Sequence, residues 1–207
     1  MTAPSLGPPP AGGLARAVAF ESSIWRSLFR WLLRRPGPVP PTDRFGYDGA
    51  AAPLIWVFVG LSAVEIPILD LLLPGWWRLV GLAVGLWALL WMLGLLGTVK
   101  THPHLVDLDG IRIRYGSTLD IPVPWDLVDS VAIARHQVAG TATVQMDGSV
   151  LIVAVTSQTN VELAFTEPVV VAVPKTRGEP ISAVRFYADD PVALLGRVRS
   201  WVDAADP

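Results

Sequence analysis

Two carboxylates stand where a carboxylate is costly. The run Leu54–Leu73, LIWVFVGLSAVEIPILDLLL, is apolar except for Ser62, Glu65 and Asp70, with Pro67 between the two acids. An acid inside such a run is a functional candidate by default, because a charge in hydrocarbon must find a partner, a proton or water. Asp70 has a partner within reach. If the chain turns back at Pro74-Gly75, Asp70 comes level with Arg78, and an ion pair at the membrane surface suffices. Glu65 has none, since the facing residues are Val84 and Gly85, and the Gly81-xxx-Gly85 spacing lets two helices approach closely there. Pro67 leaves the Ala63 carbonyl without its helical donor, an acceptor that a protonated Glu65 or a neighbouring subunit could meet. The chemistry on offer is a hydrogen bond or a proton inside a membrane.

Bond-making chemistry has little to draw on. The chain has no Cys, which excludes disulfides, thiol nucleophiles, thiolate metal sites and iron–sulfur clusters. No phosphate-binding Gly-rich loop, dinucleotide fingerprint, zinc-protease helix or serine-nucleophile elbow occurs. His102-Pro103-His104 places two imidazoles on one side of an extended segment, but no third His is near, and His beside Lys100 marks the polar boundary of a span. The expectation is a protein that is not an enzyme, with no catalytic residues, no cofactor and no metal.

The elements that would position Glu65 and Asp70 are legible from composition and periodicity. The 207 residues are 52% hydrophobic and 16% charged, where a soluble domain carries about a quarter charged residues. A net charge of -2 gives no basic footprint for nucleic acid. Residues 1–13 are Pro, Gly, Ala and Ser without charge and read as a disordered tail. In residues 14–35, Phe20, Ile24, Trp25, Leu28, Phe29, Trp31 and Leu32 recur at helical spacing, while Arg26, Arg30 and Arg34 repeat every four residues. That is a basic amphipathic helix of the kind that lies in a membrane interface. The alternative is that its apolar face packs on the protein's own later domain. Residues 36–52, opened by PGPVPP, read as linker.

Residues 53–100 form the next unit. A 20-residue span at 54–73 is about 30 Å long, one hydrocarbon thickness. The second span, 79–99, LVGLAVGLWALLWMLGLLGTV, carries no charge. Only five residues join them, so the two spans form an antiparallel hairpin, with Trp76 and Trp77 in the interfacial aromatic belt. Arg30, Arg34, Arg35 and Arg44 precede the first span and Lys100, Arg112 and Arg114 follow the second, while the turn holds only Arg78. The positive-inside bias places both termini in the cytoplasm of a multi-pass cell-membrane protein.

From residue 101 the period changes to two. Leu105–Leu108, Ile111–Tyr115, Leu119–Val123, Val128–Arg135, Val150–Val155, Val161–Phe165, Val169–Val173 and Ile181–Tyr187 read as eight short strands. Asp190-Pro191 is a helix start signal, and Val192, Leu194, Leu195, Val198, Trp201 and Val202 give one apolar face to a helix over 191–203. This order of elements resembles a bacterial pleckstrin-homology-like (PH-like) domain. The likeness is strongest over LVDLDGIRIRYGSTLDIPVPWDLVDSV, with its Asp109-Gly110 turn and its Pro124-Trp125 step before a further strand. It implies a barrel or sandwich of seven strands with a C-terminal capping helix. The whole chain is also similar to two-span membrane proteins of high-GC bacteria, a likeness that implies no activity. Phosphoinositide-binding members of the wider family carry a basic pair in the second strand. Arg112-Ile113-Arg114 supplies it, but Asp107 and Asp109 precede it and residues 101–207 hold 8 Lys/Arg against 13 Asp/Glu. An acidic hairpin opposes a phosphate.

The expected fold class is therefore α+β, a two-helix transmembrane hairpin followed by a PH-like β domain. The expected function is a membrane-anchored, non-catalytic adaptor or regulatory module. The alternative is a subunit of an oligomeric transport or ion-conducting assembly that uses Glu65. Expected partners are membrane lipid and a protein partner or second copy through the hairpin, and no nucleic acid. The residues at stake are Glu65, Asp70, Arg78, Gly81 and Gly85 within the membrane, and Arg26, Arg30, Arg34, Trp76 and Trp77 at its surfaces.

Overall fold

A computed structural model describes residues 4–6, 13–33, 43–140, 142–173 and 175–205. It is an α+β protein with two apolar helices, two curled β-sheets and a C-terminal helix. Helix α1 spans Gly13–Leu32, α2 Ala52–Leu72 and α3 Trp77–Thr101. Pro53 sits in the first turn of α2, where a missing N–H removes no helical hydrogen bond. Both α2 and α3 are long and apolar enough to cross a membrane, and the rest of the chain leaves them almost uncovered. Leu71 is 84% exposed and Val57 66%. An apolar surface of that extent is unfavourable in water by roughly 25 cal/mol per Å2, and hydrocarbon is the solvent it matches.

The β-strands are β1 (Ser5–Leu6), β2 (Asp43–Phe45), β3 (His104–Val106), β4 (Gly110–Tyr115), β5 (Leu119–Pro124), β6 (Val128–Gln137), β7 (Val144–Asp147), β8 (Val150–Val153), β9 (Gln158–Val171) and β10 (Pro180–Phe186). One sheet runs β2-β3-β4-β5, all antiparallel. The other runs β1-β9-β10-β8-β7, with β6 also paired to β9. Strand alternation makes the inner faces. Leu119, Ile121 and Val123 of β5 are buried while Asp120, Pro122 and Pro124 between them are half-buried. These meet Leu151, Val153, Val161, Leu163, Val184 and Phe186 of the larger sheet in one core, an arrangement that fits a barrel or sandwich. Helix α4 (Pro191–Ala205) closes it with Leu194 and Val198, both essentially buried. Asp190 caps this helix, its Oδ1 accepting the Ala193 N–H at 2.9 Å.

Several sequence expectations change. The tail assigned to residues 1–13 contributes β1, which pairs in parallel with Val170 and Val171 and buries Leu6 in the core. A two-residue strand has no periodicity to betray it. The linker assigned to 36–52 contains β2, antiparallel to β3, and then Tyr47, which is 1% exposed. Pro and Gly on either side mask this short pairing segment. Val161–Phe165 and Val169–Val171 belong to one strand, β9, which ends before Val173; its register on β10 is irregular across the stretch holding Pro168, where a residue without an N–H can be tolerated. Strand β7, absent from the sequence reading, pairs with β8, and Val192 is exposed instead of facing the core.

Helix α1 also differs from a helix lying alone in the interface. Ile24 is 0% exposed and Leu28 7%, because they pack on α3. A Cβ on Gly94 would collide with Ile24 Cγ2 and stand 3.1 Å from the Ile24 carbonyl oxygen, and one on Gly97 would stand 3.0 Å from the Ser27 carbonyl oxygen. The glycines of α3, Gly94 against Ile24 and Gly97 against Ser27, bring the backbones together. Glu21 meets Trp91, Ile24 meets Gly94 and Ser27 meets Gly97, so the two helices run in the same direction.

Candidate functional site

The hairpin is closed by glycine. A Cβ on Gly85 would lie 2.8 Å from Ile66 Cγ1, and one on Gly81 would lie 2.6 Å from Leu73 Cδ1. Both glycines thus form the seat of α2 on α3. At the end far from the β domain, Asp70 and Arg78 form a bidentate pair, Arg78 Nη2 donating to Asp70 Oδ2 at 2.5 Å and Nε donating to Oδ1. Trp76 and Trp77 stack beside it with ring centroids 4.1 Å apart and remain exposed.

Glu65 is not brought into this group. Its neighbour Ile66 takes the seat on Gly85, and the Glu65 side chain stays exposed on the outside of the hairpin. Among the described residues it forms no ion pair or hydrogen bond with its own chain.

On the side toward the β domain stands a third acid, to which the apolar runs gave no pointer. Glu21 of α1 accepts hydrogen bonds from two indoles, Trp25 Nε1 at 3.0 Å and Trp91 Nε1 at 3.1 Å. Glu21 and Trp25 lie one helical turn apart, a spacing that could have flagged the local pair; Trp91 could not have been assigned without the fold. Arg26 is exposed, its Nε donating to the Ser22 carbonyl at 3.2 Å and its Nη2 to the Ser22 hydroxyl. Arg30 is half-buried close to His102. Arg34 lies outside the described residues.

Where the helices meet the β domain, polar contacts bind the two. Lys100 Nζ lies 2.8 Å from Asp48 Oδ2. The Gly49 N–H donates to the Asp189 carboxylate at 2.9 Å, and the Asp189 N–H donates to the Gly46 carbonyl. The Tyr47 hydroxyl accepts the Gly116 N–H at 2.6 Å, and burial pushes its own ionisation upward. Burial likewise raises the Asp189 carboxyl.

The two histidines diverge. His104 is buried with both ring nitrogens used. Nε2 faces the Tyr187 carbonyl at 2.9 Å and must donate, and Nδ1 accepts the Arg114 N–H at 3.0 Å. A second ring proton would point at that N–H, and burial, the largest influence, holds the imidazole neutral with its pKa lowered to about 4. His102 Nδ1 instead lies 2.9 Å from the Thr98 carbonyl, and burial lowers its pKa, with Arg114 and Arg30 pushing the same way. With its nitrogens committed, His104 cannot join His102 on a metal. Among the described residues no group of three His, Asp or Glu side chains is placed to hold a metal ion.

Arg112 and Arg114 converge on one carboxylate. Arg112 Nη2 lies 2.6 Å from Asp120 Oδ2 and Arg114 Nη2 3.3 Å from the same oxygen. Ile111 and Ile113, which alternate with them along the strand, are fully buried. The basic pair is thus neutralised in part by its own sheet. Comparison with family models, with curated proteins and with solved structures returned no match to this chain.

Proposed function

We propose that the protein is a membrane-anchored, non-catalytic adaptor or regulatory module whose PH-like domain is held rigidly against the cytoplasmic face of the cell membrane. The observation that carries this reading is the pairing of β2 with β3, because these strands precede and follow the hairpin in the chain. A domain on a flexible tether would be connected on one side only. Here both ends of the hairpin enter one sheet, and Asp48–Lys100 and Gly49–Asp189 add ties at the same junction. A displacement of the helices is therefore passed to the sheet. The PH-like assignment is supported by the Trp125 Nε1 bond to the Asp107 carbonyl at 3.1 Å, which fastens the Pro124-Trp125 step onto the first hairpin, and by α4 closing the core. Crosslinking of tagged protein in native membranes, read by mass spectrometry, should recover a distinct protein partner. Crosslinks confined to copies of the chain itself, running through α2, would favour the rival reading.

That rival, a subunit of an oligomeric transport assembly, is favoured by the outward exposure of Glu65. An acid facing lipid is unfavourable by about 2.5–3.5 kcal/mol at mid-depth, and a neighbour that accepts its hydrogen bond relieves this. Both readings therefore place a contact at Glu65. They differ in whether the contact serves assembly or conduction.

A further inference from the structure

A cavity of about 410 Å3 opens between α1, the end of α3 and the β4–β5 turn. Its polar lining is Arg26, Arg30, Ser27, His102 and Ser117. It lies beside the last turn of α3, since His102 is the first residue beyond that helix. The site is built and not incidental. Ser27 is 2% exposed at its base, and the Ser23 hydroxyl meets that of Ser117 at 2.5 Å, which ties α1 to the turn that forms the opposite wall. Its lip is apolar, with Phe29 59% and Leu33 57% exposed.

Among the described residues the cations of this molecule divide into those paired with a carboxylate and those, in this cavity and elsewhere, that are not. Arg78, Lys100, Arg112, Arg114, Arg185 and Arg197 each have a carboxylate within 4.0 Å. Among the described residues Arg26 and Arg30 have none, and the nearby Asp120 is held by Arg112 and Arg114. Two guanidinium groups, hydroxyl donors and an apolar lip at the height where a span leaves hydrocarbon form a complement to one kind of molecule, a phosphate that carries acyl chains.

We propose that this cavity binds the headgroup phosphate of one anionic phospholipid from the leaflet on the β-domain side, with Arg26 and Arg30 on the phosphate and Phe29 and Leu33 against the upper acyl chains. The inference rests on the reading of α2 and α3 as membrane spans. A lipid seated here would fill the angle between α1, α3 and the β4–β5 turn, so that lipid composition would bear on how firmly the domain is held.

The test uses the full chain in nanodiscs of equal parts phosphatidylglycerol and phosphatidylcholine, with mass spectrometry of the lipid retained after gentle detergent extraction. Both lipids offer the phosphate, but the choline cation of phosphatidylcholine would be set against Arg26 and Arg30, so phosphatidylglycerol should be enriched by about tenfold. The double variant Arg26→Gln/Arg30→Gln should bring the enrichment close to unity, and Arg177→Gln, which removes one exposed cation from a distant loop, should leave it intact. Leu33→Glu, an exposed position where folding is not at stake, should lower it by setting a like charge at the lip. Equal retention of both lipids by the unaltered chain, or an equal loss in Arg177→Gln, would overturn the proposal. So would displacement of phosphatidylglycerol by inorganic phosphate, which would mark a site for a free anion. Extraction of the unaltered protein from membranes by alkaline carbonate would instead overturn the spanning reading. Retention in the membrane without lipid enrichment would sink the cavity proposal alone.

Discussion

Phe45 and His104 stand opposite each other on neighbouring antiparallel strands, although the entire helical hairpin lies between them in the chain. The hairpin is an excursion out of a sheet that closes behind it. Tyr47, two residues beyond Phe45, is buried at the junction and accepts the Gly116 N–H. Tyr47→Phe keeps the ring and removes the acceptor, leaving that N–H unpaired. The expected loss is about 1–3 kcal/mol of stability, read as a lower midpoint in chemical denaturation of the full chain in detergent. An unchanged midpoint would show that the junction does not depend on this bond.

The neutral His104 makes stability depend on pH. Its folded pKa of about 4 lies below the ordinary 6.5, so below pH 6.5 the unfolded chain takes up a proton that the folded chain refuses. The stabilisation is complete above pH 6.5 and is lost as pH falls toward 4. It amounts to about 3 kcal/mol over that window. Denaturation midpoints at pH 7.5, 5.5 and 4.5 should fall in order, and an NMR titration should find one imidazole still neutral at pH 5.5. All three histidines titrating near 6.5 would contradict the tautomer assigned here.

Helix α1 depends on Gly94. A valine there would press on Ile24 and its carbonyl, and overpacking of this kind is unfavourable by about 1–3 kcal/mol. The chain has no Cys, so an engineered pair reports without background. Ser23→Cys with Ser117→Cys should form a disulfide under mild oxidation, and adding Gly94→Val should suppress it at least severalfold. Undiminished crosslinking in Gly94→Val would show that α1 docks without this close approach.

Glu65 faces outward, and its replacement should separate insertion from association. Glu65→Leu should insert at least as well as the unaltered chain but lose self-association or partner binding. Glu65→Gln should keep it, because an amide still hydrogen-bonds; such contacts are worth about 0.6–2 kcal/mol in membranes. Asp70→Asn should change association little, since Asp70 is occupied by Arg78 at the far end of the hairpin. Full association of Glu65→Leu in native-membrane crosslinking would remove the contact.

The two apolar helices were legible because runs of about twenty mostly apolar residues admit few alternatives, and the capping of α4 because Asp190-Pro191 is a local signal. The pieces that bind the hairpin to the domain were not. Strands β1 and β2 have two and three residues, too few to display a period, and each is defined by a partner distant in sequence, Val170 for Ser5 and Leu105 for Arg44. Glycine spacing drew attention to Gly81 and Gly85, where side chains of the preceding segment come near, yet a neighbouring backbone approaches at Gly94 and Gly97. The signal shows where a backbone can come near and leaves open which helix arrives. The same holds for Arg112 and Arg114, whose meaning changes once Asp120 is seen across the hairpin.

The central claim is that the β domain lies in the cytoplasm and only the turn between α2 and α3 reaches the far side. Single cysteines at two exposed positions test it, Pro74→Cys in that turn and Ala139→Cys beyond β6. In intact cells an impermeant maleimide should label Pro74→Cys and leave Ala139→Cys unlabelled until the membrane is opened. Labelling of Ala139→Cys in intact cells, with Pro74→Cys protected, would place the domain outside and contradict the account.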